Sequence, residues 1–155
     1  MFNDYHFITH WRVPGSVQEI IDILGDAEDL PRWWPSVYID VKKRGDIVEL
    51  YTKGWLPYTL RWSFRVLENR PDGFVIEAFG DFVGRGEWIL TQSGDDVDIT
   101  YDWHIRAEKT LLKLFSPILK PIFAANHRWA MSRGEESLKL ELARRHGEPP
   151  KATFR

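Results

Sequence analysis

The feature that most constrains this chain is a run of short alternating segments followed by one long helical segment. Alternation of apolar and polar residues predicts strands near residues 37–43, 46–53, 58–68, 73–80, 84–92 and 96–106. Short turn sequences such as Pro71-Asp72-Gly73 separate them, and connections of this length join antiparallel neighbours. After Lys109 the apolar residues recur in three- and four-residue steps, which predicts an amphipathic helix. A curved sheet around one helix must be filled by side chains or must leave a cavity.

The first 35 residues predict one more strand and two short helices. Residues 5–13 alternate, as in a strand with one buried face. Ser16 and Glu19 form the pattern of a capping box, which begins a helix that Gly25 ends. A second helical turn is predicted over residues 27–33, before Pro35.

The C-terminal segment contains two prolines that bear on its continuity. Ser116-Pro117 is typical of an N-cap and first helical residue, and Pro121 lacks the backbone N–H of a helix interior. We therefore expect a helix in pieces, kinked or restarted near Pro121. The length of 155 residues predicts a single domain over residues 1–146, followed by a flexible tail over residues 147–155.

Composition excludes several classes of function. The 21 Lys and Arg residues nearly balance the 23 Asp and Glu residues, so no net positive field favours nucleic acid as a partner. The chain has no Cys, which rules out disulfides, thiolate metal sites and cysteine nucleophiles. His6 and His10 share a strand face about 13 Å apart, too far to bind one metal ion. No phosphate-binding loop is present, so we expect neither a metal nor a cofactor.

Location and assembly are predicted from weaker signals. The chain begins without a basic and apolar leader and has no apolar run of about 20 residues, which favours a cytoplasmic protein without a membrane span. The sequence leaves open whether the protein contacts a membrane transiently. The protein is expected to be a monomer or a homodimer, the latter through an uncovered strand near residues 37–43.

Four segments carry a resemblance to a known family. They are Leu30-Pro31-Arg32-Trp33-Trp34-Pro35, Leu56-Pro57-Tyr58 with Leu60-Arg61-Trp62, the run from Gly80 to Trp88, and the helical Pro121 to His127. With the predicted element order, they resemble the START-like or SRPBCC superfamily, in its polyketide cyclase/dehydrase and lipid-transport branch. The resemblance implies an α+β helix-grip fold: a seven-stranded curved antiparallel sheet around a long C-terminal helix, with two short helices after the first strand.

The resemblance also implies an apolar ligand between the concave sheet face and the last helix. The chain has eight Trp residues, which suit the wall of such a cavity. The candidate ligand-binding residues are Trp33, Trp34, Tyr58, Trp62, Phe64, Trp88, Tyr101, Trp103, Phe115, Ile122, Phe123, Asn126 and Trp129. The alternative is that these side chains meet in the middle and leave no void.

Polar residues near the predicted cavity are few. Asn126 and His127 are adjacent on the helix and about 100° apart, so only one of them is expected to point fully inward. Asn126 is favoured because it shares a face with Ile122 and Trp129. Glu77 lies between apolar residues and either turns inward as a general base or pairs with an Arg on the outer face.

Three functions follow from this pattern. The favoured one is non-catalytic binding of a hydrophobic or aromatic small molecule, lipid- or polyketide-like, with Asn126 as polar anchor, alone or together with Tyr58 or Tyr101. The first alternative is a cyclase or aromatase that uses Glu77 or His127 as acid or base. The second is an interaction protein with a filled core, whose exposed loop residues Trp33, Trp34 and Trp55 dock on a partner or a membrane.

Overall fold

The structure is a computed structural model, and it describes residues 3–147. Seven antiparallel strands form one sheet in the order β1-β7-β6-β5-β4-β3-β2. The strands are β1 (Asp4–Pro14), β2 (Tyr38–Arg44), β3 (Ile47–Lys53), β4 (Thr59–Arg70), β5 (Gly73–Gly80), β6 (Phe82–Ser93) and β7 (Asp96–Ala107). The helices are α1 (Val17–Gly25), a 3₁₀ turn (Ala27–Asp29), α2 (Leu30–Trp33) and α3 (Thr110–Arg145). This is the predicted helix-grip fold.

Alternation along the strands separates a buried sheet face from an exposed one. On β1, Tyr5, Trp11 and Val13 are buried, whereas Ile8 between them is 56% exposed. On β7 the alternate residues Val97, Ile99, Tyr101, Trp103 and Ile105 are buried as well. The alternation ends on β4, where pairing with β5 shifts between Val66 and Glu68. Val66, which continues the apolar series of Leu60, Trp62 and Phe64, is accordingly 43% exposed.

The short helices close one end of the sheet. The Ser16 side chain accepts a hydrogen bond from the Glu19 backbone, and the Glu19 carboxylate accepts one from the Ser16 backbone, so the capping box is present. Trp33 and Trp34 follow in and after α2, and both indoles are buried. The expectation that they form an exposed docking surface is wrong, because α2 turns them inward. A side chain at Gly134 of α3 would come within 2.2 Å of the Trp34 ring.

The C-terminal helix is continuous over 36 residues, with Pro117 and Pro121 inside it. Ser116 is not an N-cap. It is fully buried, and its hydroxyl donates to the Leu112 carbonyl 2.5 Å away, one turn earlier. The expected restart of the helix is therefore wrong. Its first half is held against β1, where the Tyr5 hydroxyl lies 2.5 Å from Ser116 Oγ.

Aromatic side chains fill the centre of the interior. The Trp88 and Tyr101 rings stack with centroids 4.1 Å apart, and the Trp103 ring stacks on Tyr101 at 5.5 Å. Trp62 lies 5.4 Å from Trp103, and its indole N–H donates to Thr52 Oγ1 at 3.1 Å. These rings therefore occupy the centre of the space between the sheet and α3.

Apart from Gly147, the predicted tail over residues 147–155 lies outside the described residues. Among the helices of residues 3–147, none combines the length and apolar character needed to cross a bilayer.

Candidate functional site

A cavity of about 100 Å³ lies between the first half of α3, strands β1 and β7, and the linker of residues 54–58 that joins β3 to β4. Most of its wall is apolar. The apolar residues are Phe7, Val37, Leu60, Phe82, Trp103, Ile105, Ala107, Leu112, Phe123 and Ala130. The polar side chains are those of Tyr5, Thr52, Lys53, Tyr58, Asn126 and His127. Lys53 is exposed, so the cavity reaches the surface beside the linker.

The cavity is small for a ligand site. Pockets that bind drug-sized molecules measure about 300–1,000 Å³, whereas an apolar cavity of about 150 Å³ accommodates benzene. The reason lies in the packing of the aromatic core, which occupies the middle of the space between sheet and helix. At about 100 Å³ the site is smaller than that example, so one ring is the upper limit of what it holds.

His127 provides the unusual polar atom of this wall. Its ring stacks on Phe7 with centroids 4.1 Å apart, and its Nε2 atom is buried without a hydrogen-bond partner. Burial, together with the positive charge of Arg128, lowers the pKa of His127 to about 4. The imidazole is therefore neutral at pH 7, and it can donate or accept one hydrogen bond inside the cavity.

Asn126 performs a different task from the one expected. Its Oδ1 atom accepts hydrogen bonds from the backbone N–H groups of Trp55 at 2.9 Å and Leu56 at 3.3 Å. Its Nδ2 atom donates to the Tyr58 hydroxyl at 3.4 Å. The amide thus holds the linker against α3, and these contacts use Oδ1 twice and one of the two Nδ2 hydrogens. The expectation that Asn126 points inward agrees with its burial in the cavity wall, which His127 shares, whereas its role as the polar anchor of a ligand stays a prediction.

Two tyrosines complete the polar part of the wall. Burial raises the pKa of Tyr5, although its hydrogen bond to Ser116 opposes the rise. Burial also raises the pKa of Tyr58 to about 12, and the nearby Tyr5 adds to the rise. Both phenols stay protonated at neutral pH, so neither supplies a base.

The structure brings only part of the predicted set to the cavity. Tyr58, Trp103, Phe123 and Asn126 line it, as does His127. Trp62, Trp88 and Tyr101 are buried in the aromatic core instead. Phe64 packs against that core from a groove beside α1.

The remaining predicted residues lie elsewhere. Phe115 and Ile122 are 43% and 42% exposed, so their predicted position facing the sheet is wrong. Leu112 and Ser116 form the buried side of this part of α3, and neighbouring positions are turned away from it by about 100° per residue. Trp129 is partly buried and does not line the cavity.

Glu77 lies on the outer sheet face. Its carboxylate forms an ion pair with Arg65, on the neighbouring strand, at 2.8 Å, and its side chain is 41% exposed. The inward orientation is wrong, because Ile76 and Ala78 on either side of it occupy the buried face. The alternative expectation, a cross-strand pair on the convex surface, describes it correctly.

Residues of β1 were missed as cavity residues. Tyr5 and Phe7 face α3, and they contact Ser116 and His127. Their alternation with His6 and Ile8 already placed them on the apolar face of the strand. What the sequence does not contain is the pairing of β1 with β7, which brings Phe7 opposite Trp103.

Comparison with known proteins gives similar solved structures but no matching family model or curated protein. Among solved structures, a conserved protein from Geobacillus kaustophilus is 13% identical, with TM-score 0.70 over 90% of this chain and 96% of that one. The Zhui aromatase/cyclase from Streptomyces sp. R1128 is also 13% identical, with TM-score 0.69 over 97% and 98%.

A third structure, described as a START superfamily protein from Mycobacterium smegmatis, is 15% identical, with TM-score 0.60 over 86% of this chain and 98% of that one. Sequence identity at this level carries information about the fold and not about activity. Together with the sheet order and the long terminal helix, these similarities show that the chain shares the helix-grip fold of these three proteins.

Proposed function

We propose that the protein binds a small, mainly apolar molecule with one hydrogen-bonding group, in the cavity beside α3. The observation that carries the proposal is the unpartnered Nε2 atom of His127 in an otherwise apolar wall. A buried polar atom without a partner costs about 1–3 kcal/mol. A ligand hydroxyl or carbonyl at this position recovers that free energy, while the apolar wall accepts the rest of the ligand.

The ligand class follows from volume and charge. A cavity of about 100 Å³ with a neutral imidazole suits a phenol-like ring or the end of a longer lipid- or polyketide-like molecule. No charged side chain other than Lys53 lines the cavity within residues 3–147, so a neutral group is favoured over an ionised one.

Cyclase chemistry is the weaker alternative. A general base works best with a pKa near the working pH, whereas the pKa of His127 is about 4. Glu77 lies on the opposite face of the sheet, in its ion pair with Arg65. A polyketide chain also needs more room than the cavity offers. Binding without turnover needs only the apolar wall and one hydrogen-bonding group, and the cavity has both.

The first test uses the protein as purified. Native mass spectrometry, with analysis of an organic extract of the same sample, measures whether a small molecule accompanies the chain. A stoichiometric neutral apolar compound supports the proposal, and its identity replaces the probe compounds below.

The second test compares phenol with benzene, which has the same ring without the hydroxyl. Calorimetric titration should show tighter binding of phenol by wild-type protein. In the variant His127→Phe this preference should fall about fivefold or more, because one hydrogen bond to a buried group contributes about 1 kcal/mol or more. Benzene affinity should change little. Equal preference in wild type and variant, or no binding of either compound, contradicts the proposal.

A further inference from the structure

A second pocket, of about 380 Å³, lies between α2 and the second half of α3. Its volume falls within the range of about 300–1,000 Å³ that is usual for small-molecule sites. One wall is a single face of α3 from Arg133 to Arg144, where the lining residues recur in three- and four-residue steps. The opposite wall runs from Arg32 to Ser36. No residue of this pocket lines the cavity that contains His127, so the two places are separate.

The pocket has one positive charge in excess, because three arginines and two glutamates line it. Glu141 is already bound by guanidinium groups, since Arg32 and Arg144 donate to its carboxylate at 2.6 and 2.7 Å. Glu136 accepts a hydrogen bond from Arg133 Nη1 at 3.3 Å. The Nε and Nη2 atoms of Arg133 donate to nothing within residues 3–147, and this side chain is 38% exposed. Arg133 therefore supplies the free cationic edge of the pocket.

Two buried polar atoms on the opposite wall also have no partner. Trp33 is only 5% exposed, and its Nε1 atom is buried without a hydrogen-bond acceptor. The Oγ atom of Ser36 is buried without a partner as well. An indole N–H can only donate, and a hydroxyl can donate. Buried polar groups of this kind are normally hydrogen-bonded, so both walls of the pocket offer donors to a ligand that carries acceptor atoms.

We propose that this pocket binds a small organic acid, whose carboxylate accepts hydrogen bonds from Arg133, Trp33 and Ser36. Two neighbouring N–H groups of a guanidinium match the two oxygens of a carboxylate. A carboxylate carries one negative charge and balances the excess charge of the pocket, whereas a phosphate monoester carries about −1.5 to −2 at neutral pH and is repelled by the two glutamates. Trp33, Pro35 and Leu140 provide apolar surface for the rest of the acid.

The test is calorimetric titration of the full chain with 2-naphthoate. Its two fused rings exceed the one ring that the cavity with His127 holds, so its binding reports on the second pocket. Wild-type protein should bind 2-naphthoate at a single site. The neutral ester, methyl 2-naphthoate, should bind at least about tenfold more weakly, because it lacks the charge that pairs with Arg133.

Arg133→Gln should weaken 2-naphthoate binding about tenfold, because it removes the charge and the paired donors together. The matched control is Arg85→Gln. Arg85 is exposed on the outer sheet face, where it lies opposite Glu77 in the sheet register. This variant loses the same charge far from the pocket, and its affinity should equal that of wild type.

Two variants give results that a purely structural role would not produce. Glu136→Gln removes the carboxylate that competes for Arg133, so it should tighten 2-naphthoate binding about threefold. Ser36→Ala removes a buried hydroxyl without a partner. Its stability in urea unfolding should therefore stay constant or rise, while its affinity for 2-naphthoate falls about threefold.

Four results overturn the proposal. They are absence of 2-naphthoate binding by wild type at millimolar concentration, equal affinity for the acid and its ester, equal affinity of Arg133→Gln and Arg85→Gln, and weaker binding by Glu136→Gln. Circular dichroism of each variant excludes loss of the fold as the cause of a change. Phenol and benzene probe the other cavity, so either proposal can fail while the other stands.

Discussion

Protonation of His127 should make the folded state lose stability below neutral pH. The imidazole is neutral in the folded state because its pKa is lowered to about 4, whereas the ordinary value is 6.5. Between these two values the unfolded chain takes up a proton that the folded chain does not. The contribution of His127 to the free energy of unfolding is therefore complete above about pH 6.5 and is lost as the pH falls toward 4.

The size of the effect follows from the two pKa values. At pH 5 the His127 contribution to the free energy of unfolding should have fallen by about 2 kcal/mol, and the full difference at still lower pH is about 3 kcal/mol. The variant His127→Phe keeps a ring against Phe7 and removes the titrating group. Its stability should differ from wild type by an amount that depends on pH.

Urea unfolding at pH 7.5 and pH 5 measures this difference. The free energy of unfolding of wild type should fall by about 2 kcal/mol more than that of His127→Phe over this interval. Other titrating groups change both proteins equally and cancel. A parallel pH dependence of the two proteins would refute the reasoning, because it would mean that His127 titrates normally in the folded state.

Three further predictions concern packing and the linker. Glu141 is buried and accepts hydrogen bonds from three guanidinium groups, which outweigh the effect of burial and hold its pKa well below the usual range. Glu141→Gln should cost about 3 kcal/mol in urea unfolding, whereas loss of the half-buried ion pair with Arg133 in Glu136→Gln should cost less than about 1 kcal/mol. Gly134→Ala should lower stability by about 1–3 kcal/mol, because its methyl group meets the Trp34 ring, and Gly25→Ala, with open space around it, should change the unfolding midpoint little. Asn126→Ala should release the linker, so the backbone amides of Trp55 and Leu56 should exchange hydrogen faster than in wild type. Unchanged protection of these two amides would contradict the role assigned to Asn126.

The fold could be predicted from local patterns because each element has its own periodicity. The strand alternation of β1 and β7 and the capping box at Ser16 each depend on neighbours within a few residues, and all of them are present. The continuity of α3 could not be predicted in this way. Ser116-Pro117 is a good helix start in isolation, but the contact of Ser116 with Tyr5 joins residues 111 positions apart.

The candidate site was predicted less well, for a related reason. The curvature of the sheet decides which aromatic side chains fill the core and which border a void. The residue pattern of a single strand does not predict that curvature. Trp62 and Trp103 both lie on apolar strand faces, yet only Trp103 reaches the cavity. Likewise, Asn126 and His127 are both polar groups at the helix surface facing the cavity. Asn126 finds its partner in the backbone of the linker, whereas the Nε2 atom of His127 has none.

The lowered pKa of His127 also separates a binding role from a catalytic one. Since the folded-state pKa is about 4, the ring stays neutral between pH 5 and pH 8. The affinity for phenol, which does not ionise in this interval, should then be constant, while the stability of the same protein falls as the pH decreases. An acid–base enzyme that used His127 would instead need a pKa within this range, and its affinity or rate would change there. Measuring phenol binding and urea unfolding at the same pH values therefore tests the two roles on one residue.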